Sequence, residues 1–385
     1  MAQKQDVVGS LFWKLAERFG VQIIQFLLQI VLARLLSPDH YGVLALMITF
    51  IAIANVFIQS GFNTALIQGK EIKDEDFSSV FWLTLSVAAI IYIILFFSAP
   101  FIGQFFNMPE FTNKFRVLAL VLFPGALNSV QLAKISREMD FKKVFYSNIG
   151  GILVSGAVGI VLAFWGKGVW ALVAQNITNV LIATIVMWFT VRWHPRLIIN
   201  FKRLKILFSF GWKLMVSGMM DVLYLEMRGL VIGKKYKKST LGFYNRGKQF
   251  PQFLIDGING ALQSVMLPAL SSRQNRTSDV KNLMRNSILM SSYILFPLMA
   301  LLAGVAEPLI TWLLTDKWLP AAPYMQIYCF TMAIFPIHTC NLQAINAIGR
   351  SDIFLKLEII KKILSLVLLV AAIVFFDSPI MIAWT

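Results

Sequence analysis

Charged residues are scarce in this sequence, and it has no extended polar domain. Asp, Glu, Lys and Arg make up 14% of its 385 residues, whereas soluble domains carry roughly 25% charged residues. Hydrophobic residues make up 58%, and the mean hydropathy is +0.71. Water is therefore not the main solvent of the chain, and an all-α integral membrane protein is predicted.

Cysteine is also scarce, which argues against a disulfide framework or a metal site. The two cysteines, Cys329 and Cys340, lie eleven residues apart in one apolar segment and form no CxxC pair. This pattern is typical of packing residues rather than of redox or metal-binding residues. We expect neither a metal nor another cofactor.

Catalytic motifs are missing as well. The sequence contains no phosphate-binding loop, no His-Glu-x-x-His motif and no loop longer than about 20 residues. A membrane-embedded sugar polymerase or ligase would normally carry catalytic arginines or histidines on a large external loop. The chain is therefore not expected to be an enzyme, and an ion gradient or the substrate gradient would have to supply any energy for transport.

The charge that is present is strongly basic. Lys and Arg number 35 against 19 Asp and Glu, which gives a formal net charge of +16. On an apolar chain these cations must lie in loops or line a buried cavity. No basic helix, finger or stacking platform is present, so nucleic acid is not an expected partner.

Eleven apolar segments are long enough to cross a bilayer, since a spanning helix needs about 20 residues. The first is a retained span rather than a signal peptide, because Glu17 and Arg18 interrupt it. The residues from Pro379 to Thr385 begin a twelfth span, which we expect to be truncated. The predicted spans are 11–36, 41–67, 77–100, 115–134, 144–165, 168–191, 206–232, 241–270, 287–315, 322–347 and 354–376.

The distribution of Lys and Arg in short loops predicts a cytoplasmic N-terminus. With that orientation most of the basic loops lie in the cytoplasm, including the loops around Lys134 and Lys202. One exception is a basic cluster on the opposite side: Lys234, Lys235, Lys237 and Lys238. The predicted location is the bacterial inner membrane.

A sequence repeat divides the chain into two halves. Trp13-Lys14-Leu15 opens the first span and Trp212-Lys213-Leu214 opens the seventh. Because six spans separate them, the repeat would be parallel, with its axis along the membrane normal. We predict a six-helix lobe over 1–200 and a second, incomplete lobe over 201–385, an arrangement typical of an alternating-access carrier.

Polar residues recur at helical spacing inside four of the predicted spans. Such residues are costly in lipid, so each stripe is expected to face protein, water or substrate. The alternative is that the Asn and Gln side chains only bond neighbouring helices together. Arg18 and Arg246 could also reach an interface, because each lies in the first third of its span. The candidate substrate-binding residues are Arg18, Gln22, Gln25, Asn55, Gln59, Asp221, Arg228, Asn245, Arg246, Lys248 and Asp256.

Three stretches resemble one transporter family. They are Leu32-Ala33-Arg34-Leu35-Leu36-Ser37-Pro38, the run from Ser60 to Gln68, and Gly242-Phe243-Tyr244-Asn245-Arg246. Together they are similar to the Wzx-type polysaccharide flippases, in the colanic acid and teichuronic acid exporter branch. That branch belongs to the superfamily of multidrug, oligosaccharidyl-lipid and polysaccharide exporters.

The resemblance implies a transmembrane flippase for lipopolysaccharide or exopolysaccharide biosynthesis. It implies two lobes forming a V, with a basic central cavity for an undecaprenyl-pyrophosphate-linked oligosaccharide whose tail stays among the membrane lipids. Cavity arginines of the family lie on the first and eighth spans, as Arg18 and Arg246 do here. A polysaccharide polymerase and export machinery are the implied protein partners. A cation-coupled multidrug extruder is the alternative, which Asp221, Glu226 and Asp256 favour and the two arginines oppose.

Overall fold

The computed structural model describes residues 20–69, 72–191, 193–271, 277–347 and 351–385, and they are almost entirely helical. No strand occurs in these ranges. The prediction of an all-α fold is therefore confirmed. Backbone contacts divide the chain into two units, residues 1–238 and 239–385.

The first unit is built mostly of long helices, with one π-helical turn after α2. Its helices are α1 (Gly20–Leu35), α2 (Pro38–Asn55), the π turn (Val56–Ser60), α3 (Phe62–Gln68), α4 (Asp74–Phe105), α5 (Phe111–Leu118), α6 (Leu122–Glu138), α7 (Phe141–Phe164), α8 (Val169–Thr190) and α9 (Phe201–Lys235). The next helix, α10, starts at Lys238, the last residue of this unit.

The second unit has shorter and more interrupted helices. They are α10 (Lys238–Ser271), α11 (Thr277–Gly304), α12 (Ala306–Leu314), a 3-10 turn (Asp316–Ala321), α13 (Ala322–Ala333), α14 (Phe335–Ala347), α15 (Ser351–Phe375) and α16 (Pro379–Trp384). The lobe boundary predicted at residue 200 was based on the sequence repeat, whereas the two units are defined by backbone contacts. The two boundaries therefore describe different things, and the predicted lobes stay a prediction.

Six helices in the described ranges are long and apolar enough to cross a membrane. A seventh candidate is α9, which bends by 49° between Phe201–Ser209 and Gly211–Lys235. The chain is therefore a multi-pass membrane protein. The other predicted spans do not meet the same criterion over their described residues, so they stay predictions. The six helices are Pro38–Gln59, Asp74–Phe105, Phe111–Glu138, Phe141–Phe164, Val169–Thr190 and Lys281–Gly304.

Some of the predicted spans are interrupted in the structure, and two of these breaks lie close to prolines. The helix predicted over 287–315 is interrupted after Gly304, and the one over 322–347 is interrupted at Ile334. Pro308 and Pro336 follow the breaks closely. Each proline lacks an N–H, and its ring crowds the carbonyl four residues earlier. The helix before each break therefore ends, and a new helix begins just before the proline.

An ion pair fixes the start of α9 to the start of α4. Arg203 donates from Nε and Nη2 to the two carboxylate oxygens of Asp76, at 2.8 and 2.7 Å. Asp76 is only 1% exposed and also accepts the N–H of Lys73. A paired, bidentate contact of this kind holds both helix ends in one geometry.

The loop between α8 and α9 is bonded to the same part of α4. Backbone N–H groups of Arg196 and Asn200 donate to the hydroxyls of Ser78 and Ser79, at 3.1 and 2.9 Å. The indole N–H of Trp82 donates to the Arg196 carbonyl at 2.9 Å. The first helical turns of α4 and α9 therefore form one fixed corner of the first unit.

Candidate functional site

The polar stripe of the second predicted span, formed by Asn55, Gln59 and Asn63, faces α6. Nε2 of Gln59 lies 3.5 Å from the side-chain oxygen Oδ1 of Asn55, and a Cβ built on Gly125 of α6 would come within 3.9 Å of both side chains. Further along, Asn63 accepts a 2.8 Å hydrogen bond from Ser129 of α6. This end of the stripe bonds neighbouring helices together, as the packing alternative predicts. Gln59 remains exposed.

A π-helical turn changes the phase of this stripe. Asn55 precedes the turn and Gln59 lies within it. The extra residue of a π turn shifts the side chains that follow to a new face, and such turns are frequent at functional sites. A stripe derived from the sequence at one constant helical period cannot show this shift.

A carboxylate of α9 is bonded to α2. Thr49, which is 5% exposed, donates its hydroxyl to Glu226 at 2.5 Å. Asp221 and Arg228, which share another face of α9, have different surroundings. Asp221 is exposed, while the Arg228 guanidinium lies 5.2 Å from the centre of the Tyr224 ring. The charges of α9 are thus spread over two faces rather than collected in one cluster.

The candidates in the first helix are only partly described. Arg18 lies outside the described residues. In α1, Gln22 is half-buried and Gln25 is exposed. The proposed role of all three stays a prediction.

Arg246 is a buried cation near the start of α10. Its side chain is 5% exposed, Nη1 donates to Gln249 at 2.5 Å, and the guanidinium lies 5.6 Å from the centre of the Trp318 ring. Trp318 is fully buried. An amide oxygen and an aromatic face both stabilise a guanidinium, so the position of this charge is fixed.

The rest of the α10 stripe is half-buried and bonded along its own helix. Gln252 donates to Asp256 at 2.6 Å, and Asn245 donates to the Leu241 carbonyl at 2.9 Å. The Lys248 ammonium lies 5.8 Å from the Tyr328 ring. The side chains of Asn259 and Gln263, further along the stripe, lie outside the described residues. The stripe therefore presents an ordered row of amides with one carboxylate.

Sequence reasoning missed a buried polar group on α6. Asn128 donates to Thr184 of α8 at 2.7 Å. Gln131, which is completely buried, has no hydrogen-bond partner for either amide atom among the described residues. The i, i+3 spacing of Asn128 and Gln131 was a visible signal, but the row is too short to stand out as a stripe.

A glutamate partly neutralises the basic cluster formed by Lys234, Lys235, Lys237 and Lys238, which is the exception to the predicted topology. Lys114 and Lys238 donate to Glu110 at 2.6 and 2.7 Å. Burial alone would raise the pKa of Glu110, but the hydrogen bonds from these two lysines lower it to about 2. The same contact raises the pKa of Lys238. Lys234 of this cluster donates to the Phe105 carbonyl.

Two charged residues at helical spacing pair on α15. Lys361 donates to Glu358 at 2.6 Å and lies 3.2 Å from the His338 imidazole. His338 is therefore hydrogen-bonded between α14 and α15. Both cysteines are buried and free.

Comparison with known proteins gives a family match over most of the chain. Residues 31–323 match the family described as "Polysaccharide biosynthesis protein". The succinoglycan biosynthesis transport protein ExoT of Rhizobium meliloti is 22% identical over 91% of this chain and 71% of the relative. The teichuronic acid biosynthesis protein TuaB of Bacillus subtilis is 23% identical over 86% and 69%.

Solved structures share the fold. The lipid II flippase MurJ, in an inward closed conformation, superposes with a TM-score of 0.75 at 13% identity, over 97% of this chain and 84% of that protein. An inward-facing multidrug resistance transporter of the MATE family gives a TM-score of 0.72 at 14% identity, over 96% and 93%. At these identities the likeness concerns the fold alone.

Proposed function

Because the chain belongs to the polysaccharide biosynthesis protein family, we propose that it moves undecaprenyl-pyrophosphate-linked oligosaccharide repeat units across the bacterial inner membrane. It works as a flippase, by alternating access, with its N-terminus in the cytoplasm. The observation that carries the proposal is the family match over residues 31–323. Matched relatives are named as proteins of succinoglycan, teichuronic acid and lipopolysaccharide biosynthesis, and none of these names describes an enzyme.

The charge of the proposed substrate fits the fixed cation of α10. A pyrophosphate crossing a low-dielectric region needs positive charge that is held in place, because screening there is weak. Arg246 is such a charge, ordered by Gln249 and Trp318. Lys248 lies on the same helix, and the amide row that includes Asn245 supplies donors and acceptors for sugar hydroxyls.

We assign substrate contacts separately in each unit. In the second unit they are Asn245, Arg246, Lys248 and Asp256. In the first unit they are Arg18, Gln22, Gln25, Asn55, Gln59, Asp221 and Arg228. Of the described first-unit residues, Gln25, Gln59 and Asp221 are exposed and the others are half-buried, so their side chains are accessible to a ligand.

A cation-coupled multidrug extruder is the second candidate. The carboxylates of Glu226 and Asp256, each ordered by a hydrogen bond, favour it, and so does the shared fold with the MATE-family transporter. Arg246 opposes it, because a buried cation repels a cationic drug. The family match also favours the lipid-linked saccharide.

The proposed partners follow from the proposed reaction. Membrane lipids surround the protein, and a polysaccharide polymerase with its export machinery would consume the translocated repeat units. Nucleic acid is not among the proposed partners.

A gene deletion in a strain with no second flippase tests the proposal. We expect lipid-linked repeat units to accumulate on the cytoplasmic leaflet and surface polysaccharide to be lost. Complementation with the chain should restore both. Normal surface polysaccharide in the deletion strain would contradict the proposal, and increased sensitivity to cationic drugs alone would favour the extruder.

A further inference from the structure

An apolar groove runs along the first unit where α3, α4 and α9 meet. Its volume is about 380 Å³. Phe57 of the π turn, Phe62 of α3, Val87 of α4 and Phe208 of α9 line it, and among the described residues Lys205 is the one charged residue in its lining. Phe57 and Phe208 are 39% and 48% exposed, so the groove opens toward the surroundings of the helices.

The walls of the groove are held by the fixed corner described above. The Asp76–Arg203 ion pair ties the start of α9 to α4, and both helices line the groove, α9 through Leu204 and α4 through Leu83. On the other side, the Phe62 and Phe208 rings stack with their centres 6.0 Å apart. The groove is thus a built feature of the packing rather than a gap between loosely placed helices.

Charge and apolar surface are ordered along α9. Lys205 is the fifth residue of the helix, and Met215, which also lines the groove, lies about 15 Å further along at 1.5 Å per residue. In the part of the chain that the structure describes, no carboxylate forms an ion pair with Lys205, which is exposed. The groove therefore has a cation at one end and only apolar walls deeper in.

We propose that this groove binds the first part of the isoprenoid tail of the lipid carrier, with Lys205 contacting the phosphate next to the tail. The inference rests on the proposed function for the identity of the lipid. It assigns the tail a fixed position on the first unit, whereas sequence reasoning left the tail among the membrane lipids.

Both chemical parts of the ligand match the groove. Its aromatic walls, including Phe57, Phe62 and Phe208, offer ring faces to the methyl branches and double bonds of an isoprenoid chain. A lysine at the interface attracts a phosphate. An ordinary phospholipid shares the phosphate but has unbranched acyl chains, so it is the competitor that a test must separate.

Photolabelling of the full chain in phosphatidylglycerol-containing vesicles tests the inference. The probe is undecaprenyl phosphate with a diazirine near the phosphate end of its tail. We expect labelled peptides from the start of α9 and from α4 around Val87. Excess unlabelled undecaprenyl phosphate should remove the label, while added phosphatidylglycerol should not. Equal competition by phosphatidylglycerol, or labelling only elsewhere, would overturn the inference.

Matched variants separate the groove from the general lipid surface. Val87→Trp fills the groove and should lower labelling about tenfold, whereas Ile90→Trp, on the same helix but outside the groove and 58% exposed, should not. Lys205→Gln should lower the affinity about fivefold and Lys202→Gln should not. Lys205 is exposed, so this second pair keeps the test valid if Val87→Trp fails to fold. Unchanged labelling in Lys205→Gln would contradict the phosphate contact.

A transport assay on the same vesicles distinguishes this inference from the proposed function. A chain that flips a lipid-linked saccharide but is labelled only outside the groove would contradict the inference and leave the function standing. A chain labelled in the groove that flips no lipid-linked saccharide would support tail binding and contradict the function.

Discussion

Gly61 and Gly211 bring the backbones of two helices into direct contact. A Cβ built on Gly61 would lie 2.6 Å from the Gly211 carbonyl oxygen, and one built on Gly211 would lie 2.9 Å from the Gly61 carbonyl oxygen. Gly61 follows the π turn directly, and Gly211 is the first residue after the bend of α9. No side chain fits where these two irregular points meet.

Replacing Gly211 by Ala should therefore destabilise the protein. The added methyl group meets backbone atoms, which cannot move aside as a flexible side chain can, so the expected cost is about 1–3 kcal/mol. Thermal unfolding in detergent measures it. Gly304→Ala is the matched control, since nothing lies within 4 Å of a Cβ there. Equal melting temperatures for the two variants would contradict the close contact.

Removing Arg203 should destabilise the chain more than neutralising Asp76. Arg203→Gln leaves a carboxylate that is 1% exposed without its bidentate partner. We expect a loss of about 2 kcal/mol, because Arg203 itself is partly exposed and solvent weakens the pair. Asp76→Asn should cost less, and the double variant should be more stable than Arg203→Gln alone. Additive losses in the double variant would show that the two residues do not interact.

Acid should weaken the contact between Glu110 and its lysines. The folded-state pKa of Glu110 is lowered from 4.5 to about 2, so its stabilisation is fully present above pH 4.5 and is lost as the pH falls toward 2. Ionised Glu110 should contribute about 1 kcal/mol to the free energy of unfolding, since the pair is partly solvated. Unfolding measured across this window in wild type and Glu110→Gln tests it. A variant with the same pH dependence as wild type would exclude Glu110 as its source.

Neutralising Arg246 at constant size should impair transport. Arg246→Met keeps contact with Trp318 but removes the charge, and we expect about tenfold slower translocation, the effect of losing one charge-assisted hydrogen bond. Arg246→Lys should recover part of the rate. Arg116→Met serves as the control, because the Arg116 guanidinium also lies over an aromatic ring, that of Phe96, but is not a proposed substrate contact. Wild-type rates in Arg246→Met would refute the substrate contact, and we predict the same behaviour of Arg18→Met.

The sequence predicts the helices well because membrane burial requires long apolar segments. It does not predict where they break. Pro308 and Pro336 were visible, but whether a proline bends a helix or ends it depends on neighbouring helices that can satisfy the freed carbonyls. The π turn before Gly61 has no such marker in the sequence, and in the fold it packs against α9.

The candidate site is predictable only where the partners lie on the same helix. The spacing of Gln252 and Asp256 indicates their hydrogen bond directly. Helical spacing could not indicate the contact of Arg246 with Trp318, or that of Thr49 with Glu226, because residues 72 and 177 positions apart are brought together by the fold. The assignment of substrate-binding residues stays a prediction for the same reason.

Translocation of a lipid-linked saccharide by the purified chain is the decisive test of the proposed flippase activity. The chain would be reconstituted in vesicles with a fluorescent oligosaccharide linked to undecaprenyl pyrophosphate, and loss of signal to a membrane-impermeant quencher would be followed over time. We expect quenching of both leaflets with the wild-type chain, about tenfold slower quenching of the inner leaflet with Arg246→Met, and quenching of only the outer leaflet with empty vesicles. Outer-leaflet quenching alone with correctly folded wild-type chain, together with efflux of a cationic dye, would contradict it.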